Sequence, residues 1–396
     1  MIFMGVLFPW EREDEILRLS NGGLSNAANT FQWNVIEGLK QNLNDGVHVI
    51  NAIPVGVWPN QYRQLVLKDR KWSYEGKDCF EVGAINLPFV KQFARTRKAK
   101  RILKKLIRKN GENEIILYSS YMPFLSALRR LPKHVKTTVI IADLPGVYAN
   151  ASRSLIKRIL QYAQNRSVYK SLERVDRFVL LTEQMKEPLR IGDRPYTVVE
   201  GICDRKCDLE EHFALGEPQE KIILYTGTLH RVFGMGVLLD AFSAISAPEY
   251  RLWICGDGDM RNEILERSKT DNRISYFGYL PQKEICELRR KATILVNPRQ
   301  NTGEYTKYSF PSKTMEYMTS GKPVVMYKLD GIPDEYDDYL CYVEDNDVDS
   351  LKEKIIEICD LPLEDRVDLG VRAKKFVTLQ KNYLNQVDRI LKMIGL

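Results

Sequence analysis

Residues 310–325 read Phe-Pro-Ser-Lys-Thr-Met-Glu-Tyr-Met-Thr-Ser-Gly-Lys-Pro-Val-Val, and an apolar run at 293–296 comes shortly before them. The pattern is strand, polar loop, short helix, strand. Ser312 is expected to cap the helix, Gly321 to follow its end, and Pro323 to block any continuation. A helix start offers backbone N–H groups without intrahelical partners at its positive end, and a phosphate or diphosphate is well received there. Glu316 sits about one turn further in, within reach of the ribose hydroxyls of a nucleotide held at that end. Lys313 lies beside the same amides, and His230 and Arg231 are further cations on a loop that follows another apolar run, 222–226. Such groups suit a reaction whose leaving group is a diphosphate. Negative charge grows on it as its bond breaks, and preorganised donors and cations stabilise that charge.

The segment from Phe310 through Pro311, Ser312 and Lys313 to Glu316 resembles the donor-binding segment of GT-B glycosyltransferases, specifically the retaining family 4. The resemblance extends over nearly the whole chain and implies roles for named residues. Gly227 and Thr228, with Arg231 behind them, resemble the first donor loop, where the family places an arginine at the position of Thr228 and a lysine at that of Phe233. Neither cation is present, so His230, Arg231 or Lys313 must supply the charge, Lys313 being best placed. The family's two glutamates are separated by seven residues, and counting back from Glu316 gives Tyr308, with Glu304 four residues earlier. The loop from Glu304 to Lys313 is similar to that of a subset of bacterial surface-polysaccharide transferases. The resemblance assigns Glu304 or Tyr308 to the donor sugar and Glu316 to the ribose. Gly256 and Gly258 look like the Gly-x-Gly turn that shapes the nucleotide cleft. Asp257 and Asp259 around them spell a metal-binding DxD of a different transferase fold, but GT-B enzymes generally need no metal, and neither metal nor other cofactor is expected. Tyr279 and Leu280 fall on the base-binding loop, with Tyr279 either stacking on a base or facing solvent.

Two loops of the first half complete the set. Gly22, Gly23 and Asn26 resemble the glycine-rich loop between donor phosphate and acceptor, where glycine lets backbone approach a ligand. Asp143 follows the apolar run 137–141 at a place where relatives carry His-Asp; the histidine position is Ala142. Asp143 either orients or deprotonates an acceptor hydroxyl, or caps the next turn. The expected catalytic set is Asp143, Glu304 and Lys313.

These loops need a scaffold, and the chain alternates strand and helix patterns throughout. Candidate strands are 4–8, 47–52, 114–118, 137–141, 177–181 and 197–200, then 222–226, 251–255, 273–277, 293–296 and 324–327. Helical patterns fall near 25–39, 91–109, 122–130, 155–172 and 183–189, with a helical tail near 364–396. Such alternation argues for α/β architecture with doubly wound parallel sheets. The expected fold is GT-B, with two Rossmann-like domains facing across a cleft: an acceptor-binding domain over 1–205, a linker over 206–220, and a nucleotide-sugar-binding domain over 221–375. The last stretch, 376–396, is expected to cross back to the first domain as a helix.

A chain of 396 residues is long enough for two cores. The apolar start runs into Pro9 without a basic region, so it reads as a strand and not a signal peptide. Seven cysteines without framework spacing fit a reducing cytoplasm, and Cys203 and Cys207 have no second ligand pair for zinc. Charge divides unevenly. Residues 1–200 hold 32 Lys/Arg against 19 Asp/Glu, and the remainder hold 27 against 33. The first half thus favours an anionic partner. Residues 91–109 contain ten Lys/Arg and no acid on an amphipathic pattern, and 152–170 adds five more. That helix either rests its apolar stripe on a sheet with its charges in water, or also meets anionic lipid. No nucleic-acid motif accompanies the basicity. The expected activity is a retaining hexosyl transfer from a nucleotide sugar, UDP-linked, to a lipid-linked oligosaccharide or saccharide. The setting would be capsule, O-antigen or exopolysaccharide assembly, with the protein cytoplasmic and peripheral on the inner membrane face. The alternatives are a non-catalytic GT-B subunit binding a partner enzyme or glycan, and a sugar-nucleotide epimerase.

Overall fold

The apolar runs become the strands of two sheets in a computed structural model that describes residues 1–21, 25–146, 155–203 and 220–396, side chains of 155–157 excepted. The chain divides into a unit formed by Met1–Ile202 with Tyr383–Leu396, and a unit formed by Cys203–Asn382. Residues 206–219 of the expected linker, together with Cys207, lie outside the described residues.

In the first unit, the strands are β1 (Ile2–Gly5), β2 (His48–Asn51), β3 (Val66–Leu67), β4 (Arg70–Tyr74), β5 (Lys77–Glu81), β6 (Ala84–Ile85), β7 (Glu114–Tyr118), β8 (Lys136–Ile141), β9 (Arg177–Leu180) and β10 (Tyr196–Val198). Eight of them form one sheet in the order β10-β9-β8-β7-β1-β2-β5-β4, parallel except for β4 at the edge, while β3 and β6 make a small antiparallel ribbon. Near-continuous burial along β1, β2 and β7 is what a parallel sheet covered on both faces requires. The helix Tyr383–Ile394 belongs to this unit. Its Val387, Ile390 and Leu391 share a core with Val35, Ile36 and Leu39 of the helix Asn26–Leu43. Burying each such side chain stabilises by roughly 1.5–3 kcal/mol.

The second unit contains β11 (Lys221–Thr226), β12 (Tyr250–Cys255), β13 (Ile274–Gly278), β14 (Ile294–Asn297), β15 (Val324–Tyr327) and β16 (Cys341–Val343), parallel throughout in the order β13-β12-β11-β14-β15-β16. Every strand therefore ends on one edge of the sheet. The short helix Ser312–Met318 packs Met315, Tyr317 and Met318 into the core beside Leu224, Leu295 and Met326.

Two expectations are corrected. The first strand ends at Gly5 and not at residue 8, because the amides of Val6, Leu7 and Phe8 donate to the side-chain oxygens of Gln32, Asn51 and Asn29 at 2.8–2.9 Å instead of to a neighbouring strand. Residues 183–189 form only a 3₁₀ turn, Glu183–Met185, followed by turns. Pro188 removes a donor and disfavours helical geometry at Glu187. The hairpin β4–β5 and the ribbon β3–β6 were unforeseen.

Candidate functional site

In the second sheet, β11 neighbours β12 on one side and β14 on the other, so the connections leaving β11 and β14 diverge. Ligands of open parallel sheets bind at this kind of switch point, beyond the strands' carboxyl ends. Two buried tyrosines hold the helix Ser312–Met318 there. Tyr317, fully buried, accepts the Thr226 N–H at 2.9 Å and donates to the Thr226 carbonyl at 3.0 Å. Tyr225, one residue earlier on β11, accepts a hydrogen bond from Lys313 Nζ at 2.6 Å and donates its own O–H to the Thr228 carbonyl at 2.7 Å. Lys313 is thereby tied to the loop on which the resemblance would place an arginine, at Thr228.

The loop gives way to that lysine. Gly227 has φ +138°, and a Cβ there would lie 2.0 Å from Lys313 Cε. Gly256, at φ +136°, would drive a Cβ to 1.8 Å from the Gly227 carbonyl oxygen. Both positions require glycine through positive φ and close approach. The Gly256–Gly258 turn thus touches the Gly227–Leu229 backbone. The two aspartates between and after those glycines are engaged locally: Asp257 accepts the Gly258 N–H at 2.9 Å and Asp259 the Arg231 N–H at 3.1 Å.

Arg299 is the residue that sequence reasoning missed. It lies two positions beyond β14 and is only 9% exposed. One guanidinium nitrogen donates to Ser309 Oγ at 3.1 Å, while Nε is buried without a partner. Its guanidinium carbon lies 4.9 Å from the Tyr305 ring centre and 5.6 Å from that of Phe233. Phe233 is the position at which the resemblance calls for a lysine. Among the described residues, neither Arg299 nor Lys313 has a carboxylate within 4.0 Å. Burial lowers the Lys313 amine to about 8. The Glu316 charge partly opposes the shift, and Arg299 and Arg289 reinforce it. Two buried cations that feel each other's charge, neither with a carboxylate within 4.0 Å among the described residues, form an arrangement suited to an anion. A signal did exist: Arg299 lies three residues past the apolar run 293–296, where ligand-binding loops are found.

The remaining candidates divide. Glu316 is held by Arg289, whose Nη2 donates to Oε2 at 2.8 Å. The arginine side chain is 4% exposed and the glutamate 42%. Arg289 lies in the last turn of the helix Gln282–Lys291, among basic residues that complement the helix dipole. Ser312 does not cap. Pro311 occupies that position, its carbonyl accepting the Thr314 N–H at 2.9 Å, and Ser312 is the exposed first helical residue. The amides of Ser312 and Lys313 precede that bond, as at any helix start. Phe310 is buried against Tyr336 at 5.2 Å between ring centres and belongs to the core. Glu304 is exposed and Tyr308 half-buried on the 3₁₀ turn Glu304–Tyr308. Arg231 turns outward to pair with Glu263 and is not brought to Lys313. Thr228 is exposed, Leu280 half-buried, and Tyr279 is 72% exposed at the end of β13.

In the first unit, Asp143 follows β8 and opens onto a cavity of about 450 Å³ lined also by Ser120, Leu144, Pro145, Gly146 and Asn165. Burial raises its pKa above the ordinary carboxylate value. Asn26 lies at the exposed start of its helix, where Ser25 Oγ accepts the Ala28 N–H at 3.4 Å. Gly22 and Gly23 lie outside the described residues.

Residues 220–360 match the family described as Glycosyl transferases group 1. The O-antigen chain mannosyltransferase B of Escherichia coli is 26% identical over 141 residues, which are 34% of this chain and 35% of that protein. The match therefore spans about a third of the curated relative. Solved structures are similar over the full chain. Sucrose-phosphate synthase from Thermosynechococcus elongatus has a TM-score of 0.67 at 16% identity, covering 100% of this chain and 98% of that one. The lipopolysaccharide outer core galactosyltransferase WaaB has a TM-score of 0.62 at 13% identity, with 100% and 99% covered. Residues 220–360, in the second unit, thus match a glycosyl transferases group 1 domain, and the chain shares the two-sheet α/β fold of these solved glycosyltransferases.

Proposed function

We propose that the protein is a retaining family 4 glycosyltransferase that moves a sugar from a nucleotide diphosphate, UDP by preference, to a lipid-linked or saccharide acceptor in bacterial surface-polysaccharide assembly. The observation that carries this reading is that Lys313 and Arg299, at the switch point of the second sheet, are buried cations with no carboxylate within 4.0 Å among the described residues. As the bond from the anomeric carbon to the diphosphate oxygen breaks, the leaving group takes up negative charge. Two fixed cations and the amides of Ser312 and Lys313 are suited to stabilise it. Glu316, steadied by Arg289, takes the ribose, and Tyr279 and Leu280 the base side. Gly256 and Gly258 keep the neighbouring turn close, and Glu304 or Tyr308 meets the sugar. Asp143 is assigned to the acceptor hydroxyl, and Asn26, Gly22 and Gly23 to the loop between donor phosphate and acceptor. No metal or other cofactor enters the scheme. A peripheral position on an anionic, cytoplasmic membrane face suits such an acceptor and the basic first half. Among the described residues, no helix is long and apolar enough to cross a membrane.

Calorimetry with UDP and thermal shifts against UDP-, GDP-, dTDP- and ADP-sugars test the donor, since a selective ligand raises the midpoint by mass action. Product analysis should show the anomeric configuration kept. Thr228 and Phe233, standing where cations are expected, favour the second reading of a non-catalytic subunit; absence of nucleotide binding would decide for it.

Two further outcomes are expected. Glu316→Gln keeps an acceptor for Arg289 and so preserves the fold, but weakens the contact with a ribose hydroxyl. kcat/KM should fall about tenfold, in line with a lost charge-assisted hydrogen bond. A change under twofold would remove Glu316 from the donor site. UDP affinity should also fall as pH rises past about 8, where Lys313 loses its proton. The fall should approach about tenfold per pH unit, and Lys313→Met should flatten it.

A further inference from the structure

The helix Val90–Asn110 has an outer face that sugar transfer does not use. At its start Phe89 is 80% exposed and Phe93 69%, with Val90 at 44% beside them. Val66 and Ile85, paired across the β3–β6 ribbon, are 52% and 49% exposed. Isolated exposed apolar residues are ordinary, but a contiguous aromatic and aliphatic group marks an interaction site. The patch is held in place from beneath: Lys91 is buried and donates to the Val55 carbonyl at 2.9 Å, and Arg95 donates to the Tyr121 hydroxyl at 2.8 Å.

Three and seven residues beyond Phe93, at helical spacing, Thr96 and Lys100 border a cup of about 410 Å³ that is completed by Ser126, Arg129, Arg130 and Arg174. Four cations and two hydroxyls line it, with no carboxylate, and among the described residues none of the four cations has an acid partner within 4.0 Å. Lys98, off this line, pairs with Asp69 instead. Topology fixes where the patch lies. Residues 52–66 and 82–93 leave the carboxyl ends of β2 and β5, the same edge of the sheet from which Ser120 and Asp143 follow β7 and β8.

We propose that this face docks on a lipid bilayer with anionic headgroups, Phe89 and Phe93 entering the interface and the cup receiving lipid phosphates. An exposed apolar group and an acid-free basic cup on one stripe of the same helix match a membrane, which presents hydrocarbon and phosphate at adjacent depths. A nucleic acid would match the cup and leave the apolar edge in water. The inference deepens the membrane-borne acceptor proposed above, and it does not depend on the donor site.

Flotation of the full chain with vesicles of phosphatidylcholine, with and without phosphatidylglycerol, tests it. UDP calorimetry on the same preparations reports the donor site separately. The wild type should float with the anionic vesicles and lose them at high salt. The double substitution Phe89→Ser/Phe93→Ser should weaken binding at least about tenfold, as expected for two lost apolar insertions. Arg129→Gln/Arg174→Gln should reduce both binding and its salt dependence. All four side chains are exposed, so neither pair threatens the core. A wild type that binds UDP yet stays below the anionic vesicles overturns the docking surface alone. So does a double phenylalanine variant that floats like wild type, or a chain that ignores vesicles and binds a single-stranded oligonucleotide.

Discussion

Lys313→Met should give a protein that folds at least as well as wild type and transfers sugar about 10²–10³-fold more slowly, the usual cost of removing one preorganised donor to a developing anion. The two effects have one cause. In the folded chain the amine titrates near 8 against 10.5 when unfolded, chiefly because it is buried. Between those values the unfolded chain binds more protons, so wild-type stability should rise with pH across that window. Below about pH 8 the folded protein carries the full cost of the buried charge, and methionine removes it. Its advantage should therefore be largest at neutral pH and fade toward 10.5. Methionine also keeps the long unbranched stem that lies over Gly227, so the loop need not collapse. Denaturant melts at pH 7 and pH 10, alongside kcat with saturating donor, check the pair of effects. A variant both active and no more stable than wild type would mean that Lys313 neither meets an anion nor pays for burial.

Whether such a residue could be recognised in advance depended on how local its signal was. The strands of the second unit were legible because each is an apolar run bounded by glycine or a polar turn, and β11, β12 and β14 appear within a residue or two of where the runs lie. Lys313 was legible for the same reason, being one step inside a helix announced by Pro311. Arg299 was not. The residues that bury it, Tyr305 and Phe233, come from different loops, and nothing in the local sequence joins them. Arg231, two residues before Phe233, was one of the cations expected at the site, but Glu263, on a separate helix, holds it. The hairpin β4–β5 escaped notice because its outer strand reads Arg-Lys-Trp-Ser-Tyr, an exposed edge with little apolar alternation. The apolar patch around Phe89 was hidden by the charge of the helix that follows it, although the basic face itself was plain.

The substitution that would say most about the donor site is a transplanted cation. Arg299→Met should raise the UDP dissociation constant and lower kcat/KM by about two orders of magnitude, because the diphosphate then meets Lys313 alone. The loss should come with a gain in stability, since an uncompensated buried guanidinium is exchanged for an apolar side chain of similar reach. Phe233 supplies the second half of the experiment. Its ring lies 5.6 Å from the Arg299 guanidinium, so the space that a lysine at 233 would use is the space the arginine now fills. Phe233→Lys in the wild type should therefore hurt, by setting two positive charges side by side. In the Arg299→Met background the same change should restore at least about tenfold of the lost kcat/KM, a coupling within the range seen for neighbouring residues. The expected signature is a change of sign: one substitution harmful alone and beneficial in company. If Phe233→Lys has the same effect in both backgrounds, Arg299 and residue 233 do not serve one phosphate, and the arginine is a structural cation stacked between Tyr305 and Phe233.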